Sequence, residues 1–135
     1  MSVILNPYLE FSGQAREALE FYKAALGGEA QVTSFADGGI PREPGQENQI
    51  MHAQLETPDG ITLMLSDGWR TPGDFQGGYS IAVSGDEGGK LEGIWGALSE
   101  GAKVMQPLGA APWGGRFGML KDKFGVKWTV NIAES

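Results

Sequence analysis

The sequence predicts an α+β fold built from two βαβββ modules. Three observations carry this. First, Phe11–Gly28 reads as a strand end, a turn, an amphipathic helix and a glycine stop, and Val83–Glu100 repeats it. Ser12-Gly13 returns as Ser84-Gly85, Leu19-Glu20 as Leu91-Glu92 and Ala25-Leu26 as Ala97-Leu98, all at an offset of 72. A repeat of this kind governs the reading of everything around it. Second, His52–Leu65 aligns with Phe117–Val130 at an offset of 65, pairing Gly60 with Gly125 and Ile61 with Val126. Both copies read as strand, glycine turn, strand. Third, the change of offset puts about seven extra residues in the first half, and Ala36–Gln49, rich in Gly, Pro and polar side chains, is the natural loop to hold them.

Each element has its own local reason. Val3–Phe11 is a strand with Pro7 near its start. In the first helix Ala15, Ala18, Leu19, Tyr22, Ala25 and Leu26 form one apolar stripe. Ser12 is placed to cap it, and Gly27-Gly28 to end it. Ala30–Phe35 is the second strand, and Gln49–Glu56 with Ile61–Ser66 makes a hairpin across Pro58-Asp59-Gly60. Asp67–Gly78 reads as the connection between halves, giving modules over residues 1–68 and 79–135 and a linker over 69–78. Tyr79–Val83 opens the second module, followed by a helix over Glu87–Leu98 with Leu91, Ile94, Trp95 and Leu98 on its stripe. Val104–Pro107 is a strand, Leu108–Gly115 a loop, and Arg116–Lys121 with Val126–Ile132 the closing hairpin.

Composition narrows the function. The 135 residues make one domain by length, with 41% hydrophobic content. Ten basic against 17 acidic residues leave a net charge of −7, which argues against nonspecific binding to nucleic acid or anionic membrane. The chain has no Cys, so thiol chemistry, disulfides and zinc fingers drop out. No leader opens the sequence and no apolar run approaches membrane length, so a cytoplasmic protein is expected. Gly85–Leu91 is not a phosphate loop, because its first glycine and its Ser/Thr are missing. A Ser66–His52–Asp67 triad lacks the nucleophile elbow.

His52 is the single histidine. It suits a general base or ligand role, and alternation puts it on one strand face with Gln54, away from Met51, Ala53 and Leu55. The plainer reading is a half-buried histidine holding one backbone hydrogen bond. Pro112–Gly118 is the second candidate. Trp113 is placed to wall a ligand, and Arg116 to bind an anionic group through its fork of donors. The plainer reading makes Trp113 a core filler and Arg116 a solvated side chain. Tyr8, Glu10, Asp67 and Trp69 are further candidates, and one residue of register decides whether Glu10 faces a ligand.

The segments YLEFSGQAREALEFYKAALGG, MHAQL, LMLSD, PLGAAPWGGRFG and KDKFGVKWTVN resemble, in order and over nearly the whole chain, the PhnB-like branch of the glyoxalase/bleomycin-resistance/extradiol-dioxygenase superfamily, the vicinal-oxygen-chelate superfamily. The resemblance implies that the modules form cupped, mostly antiparallel sheets, usually in a homodimer, around a small-molecule site. Some sequences of this kind are labelled 3-demethylubiquinone 3-methyltransferase, and nothing in these residues points to methyl transfer. The superfamily's metal is held by His or Glu on first and last strands. The matching positions here are Pro7, Met64, Tyr79 or Ser80, and Thr129, so no built-in metal is expected and no cofactor is specified. Two readings follow. One is a cup that binds a small molecule, with Trp113, Arg116, Tyr8, Glu10, Asp67 and Trp69 around it and His52 inside. The other is a metal-dependent lyase, isomerase or dioxygenase using His52 with acidic neighbours. Whether any reaction is catalysed stays open, because one fold hosts both.

Overall fold

The computed structural model describes residues 6–11, 13–39, 41–67, 80–112 and 114–134. The chain divides into two compact units, Met1–Phe75 and Gln76–Ser135. Among the described residues each has one helix on one four-stranded sheet. The first unit contains β1 (Tyr8–Phe11), α1 (Ala15–Leu26), β2 (Glu29–Ser34), β3 (Ile50–Glu56) and β4 (Thr62–Asp67), with sheet order β1-β4-β3-β2. The second contains β5 (Ile81–Gly85), α2 (Gly88–Leu98), β6 (Lys103–Ala110), β7 (Arg116–Lys121) and β8 (Lys127–Ile132), in the order β5-β8-β7-β6. In each sheet the first strand pairs parallel to the last, and the other pairs are antiparallel. The fold is therefore α+β with two βαβββ units of identical topology.

The helix stripes and the strand pleats meet to form each core. In the first unit Ala15, Ala18, Leu19, Tyr22 and Leu26 of α1 are buried, as are Leu9, Phe11, Ala53, Leu55, Leu63 and Leu65 on alternate strand positions. In the second, Leu91, Ile94 and Leu98 of α2 are buried with Leu120, Trp128, Val130 and Ile132. Trp95 lies half-buried against Gly118, where an added Cβ would come within 2.7 Å of its ring. The glycine is therefore required by the close approach of the indole.

The two hairpins correspond bond for bond. Thr57 N–H donates to Ile61 O and Gly60 N–H to Thr57 O, both at 3.0 Å; Asp122 N–H donates to Val126 O and Gly125 N–H to Asp122 O at 2.8 and 2.9 Å. Thr57 Oγ1 accepts from Ile61 N–H, and Asp122 Oδ1 takes the matching bond from Val126 N–H. Both turn glycines have positive φ, 86° and 90°.

Two expectations change. Leu108–Ala110 belong to β6 and not to a loop. Pro107 and Gly109 break the strand pattern in the sequence, but register shifts after Val104 and Gln106 let an edge strand carry them. Asp67 is the last residue of β4 and not the start of a connection. The start of α1 is held from across the unit by Asp67, whose Oδ1 accepts from Gly13 N–H (2.8 Å) and Ala15 N–H (2.9 Å). Ser12, the expected cap, and the expected linker 69–78 lie outside the described residues.

Candidate functional site on the open face of the first sheet

Helix α1 covers one face of the first sheet, and the other face carries the polar side chains. Alternation from Leu9 and Phe11 puts Tyr8 and Glu10 of β1 on this open face. The same rule puts His52 and Gln54 of β3 there, opposite to buried Ala53 and Leu55, and Met64 of β4, opposite to buried Leu63 and Leu65. The register then assembles them: Tyr8 sits opposite Met64, Met64 opposite Gln54, Gln54 opposite Gln31, and Thr33 opposite His52.

The centre of this face is a pair. Tyr8 Oη lies 3.1 Å from His52 Nδ1, with ring centroids 5.7 Å apart at 56°. Tyr8 is 47% exposed and His52 half-buried, so the pair is open to solvent on one side. Either the phenol O–H donates to Nδ1 or Nδ1–H donates to the phenol oxygen, according to the tautomer, and both arrangements fix the orientation of the imidazole ring. Beside the pair, Glu10 is exposed and is the register partner of Ser66. Ser66 is fully buried and its Oγ has no hydrogen-bond partner.

The other expected residues go elsewhere. Asp67 is 1% exposed and turned to α1; besides its two bonds at the helix start, its Oδ2 accepts from Ile50 N–H at 3.0 Å. Both oxygens are thus used by backbone. Arg116 lies in the second unit, where alternation with Gly118 and Leu120 places it on the α2 side of its sheet. Its Nη2 donates to Glu92 Oε1 of α2 at 2.7 Å, and it lines a groove of about 500 Å³ with Glu92, Trp95, Val104, Pro107 and Leu108. Trp69 and Trp113 lie outside the described residues. The structure therefore brings Tyr8, Glu10 and His52 together and gives Asp67 and Arg116 other partners. Thr33 and Gln31 were not singled out from the sequence, because the long loop before β3 hides the β2–β3 register.

The positions that match superfamily metal ligands carry a different chemistry. Met64 offers a thioether, and Ser80 and Thr129 offer hydroxyls bonded to each other at 3.1 Å. Among the described residues no three His, Asp or Glu side chains are grouped as a metal would need. These donors do not fit a divalent cation of the kind that prefers imidazole and carboxylate.

Comparison with known proteins gives the class first. The fold matches the glyoxylase/bleomycin resistance protein/dioxygenase domain from Frankia sp. EAN1pec, with a TM-score of 0.66 and 16% identity over 99% of each chain. The architecture is the glyoxalase/bleomycin-resistance/dioxygenase fold. Within it, the family model described as 3-demethylubiquinone-9 3-methyltransferase matches residues 4–131, and the chain belongs to this PhnB-like family. Protein PA1353 from Pseudomonas aeruginosa is 36% identical, with a TM-score of 0.84 over 99% of this chain and 100% of that one. A putative 3-demethylubiquinone-9 3-methyltransferase, PhnB protein, from Bacillus cereus shares the fold with a TM-score of 0.78 at 24% identity, covering 97% of this chain and 100% of that one.

Proposed function

We propose that this PhnB-like protein binds a small molecule on the open face of the first sheet, without a resident metal, and that it works as a homodimer. The Tyr8–His52 pair carries the reading: the single histidine is set on the helix-free face, oriented by a phenol and open to solvent. An oriented imidazole beside a thioether and an unpartnered buried hydroxyl has the make-up of a small-molecule site, mostly weakly polar with a few placed groups. No methyl-transfer step is attached to this face. The outer strands support pairing of subunits, since Val32 of β2 and Val104 and Met105 of β6 are 40–47% exposed on sheet edges that need cover.

One histidine in the chain makes the imidazole resonances a direct reporter. Aromatic and carboxylate-bearing compounds that raise the melting temperature are expected to shift the His52 ring signals saturably. Tyr8→Phe is expected to weaken those compounds by about 3- to 10-fold, the factor of one hydrogen bond. Compounds that bind while leaving His52 unmoved would overturn the reading.

Metal and mass are tested separately. Protein incubated with zinc or manganese and then dialysed is expected to retain well below one equivalent, and a stoichiometric ion removable only by chelator would contradict this. Light scattering is expected to give twice the 14.4 kDa chain mass, and the chain mass alone at micromolar concentration would rule out the dimer.

A further inference from the structure

We propose that the open face of the second sheet holds a small oxyanion of the phosphate type on a row of three lysines, Lys103, Lys121 and Lys127. This does not rest on the first-sheet site; it concerns another sheet and another ligand chemistry.

The row is set by register. Lys103 of β6 is the direct cross-strand partner of Lys121 of β7, and Lys121 is the direct partner of Lys127 of β8. Lys121 and Lys127 alternate with buried Leu120 and Trp128, so they lie on the face away from α2. Like charges directly opposite each other across strands destabilise a sheet, and here two such oppositions share one side chain. The strands of this sheet contain no Asp or Glu, and among the described residues none of the three lysines has an acidic partner.

The first unit shows that the fold does not require this. Its equivalent row, on the same topology, is Glu29, Glu56 and Thr62, and its strands contain no Lys or Arg. Two copies of one backbone carry opposite charge at one place. Nor does the net charge of −7 supply a general attraction for anions, so the row must act locally.

The neighbouring groups fit an oxyanion. Thr129, two residues from Lys127 on the same face, pairs its hydroxyl with that of Ser80. Three ammonium groups make a donor-rich row, and Thr129 beside it stands at the strand position where the superfamily places a carboxylate for a cation. Adjacent strands are about 4.8 Å apart, so the row spans about 10 Å, enough for one phosphate between two lysines or a diphosphate across three. The exposed Glu29 and Glu56 of a second copy would be a rival occupant. Light scattering of the lysine variants separates that occupant from the small oxyanion.

The test is a backbone amide NMR titration with sodium phosphate and with pyrophosphate, ionic strength balanced by sodium chloride. Saturable shifts at Lys103, Lys121, Lys127 and Thr129 are expected with both anions and not with chloride. Lys121→Gln is expected to weaken phosphate by about tenfold or more, the factor of one charged hydrogen bond. Without phosphate it is expected to raise the melting temperature, because it removes both opposed pairs. Lys103→Gln, on the exposed edge strand, serves if the first variant folds poorly. The proposal is overturned if the shifts do not saturate, if chloride reproduces them, or if Lys121→Gln leaves them unchanged. It is also overturned if the lysine variants change only the mass seen by light scattering, which would assign the row to self-association. His52 ring signals report the other site, so either reading can fail alone.

Discussion

Asp67→Ala is expected to lower the unfolding free energy by about 3–5 kcal/mol, the range for removing one partner of a buried charged network. The carboxylate is 1% exposed and accepts from Gly13, Ala15 and Ile50 N–H at 2.8–3.0 Å. Alanine would leave these backbone donors of the first unit without their acceptor, and buried donors are costly to strand. Asparagine keeps one acceptor but turns an NH₂ group towards an N–H, so Asp67→Asn is expected to fall between wild type and alanine. Urea unfolding checks this: the midpoint should drop while the slope stays constant. A change below about 1 kcal/mol would show that the helix start is held by something other than this side chain.

Trp128→Ala is the corresponding expectation for the second unit, at about 3–5 kcal/mol. Trp128 is a large, fully buried side chain under α2, and its Nε1–H donates to Asp122 Oδ2 at 2.9 Å. Asp122 Oδ1 meanwhile accepts from Phe124 and Val126 N–H in the hairpin turn. The substitution therefore opens a cavity and also takes a donor from a buried carboxylate. Trp128→Phe separates these effects, since it keeps most of the apolar volume and loses the indole bond; about 1–3 kcal/mol is expected. Equal losses for the two variants, read from denaturant midpoints, would show that the hydrogen bond and not the packing dominates.

What the sequence discloses depends on how far apart the interacting residues lie. The α1 stripe, the Gly27-Gly28 stop and both hairpin turns are legible because their causes sit within a few positions of one another. The face of His52 is legible from strand alternation, and the structure places His52 and Gln54 opposite to Ala53 and Leu55. The hold of Asp67 on the helix start is not legible, because its partners Gly13 and Ala15 are more than fifty residues away and no local pattern marks a carboxylate as a remote cap. The pairing of Arg116 with Glu92 is not legible, because Glu92 stands on α2 and is reached only after the sheet folds. The lysine row is half legible. Lys121 and Lys127 flank a glycine turn and oppose each other by simple counting, whereas Lys103 joins them only through a register that contains two shifts.

The distant cap on α1 also orders events during synthesis. A helix of twelve residues is marginal by itself, and Gln14 just before it makes no side-chain cap bond. The two bonds from Asp67 reach its start once Asp67 has emerged from the ribosome and β4 has paired beside β1. Nascent chains ending before residue 67 should therefore hold α1 loosely, with the stripe of Ala18, Leu19 and Tyr22 still available to chaperones. Thus the first unit commits late and as a whole, its final strand residue acting as the latch that joins the helix, β3 and β4.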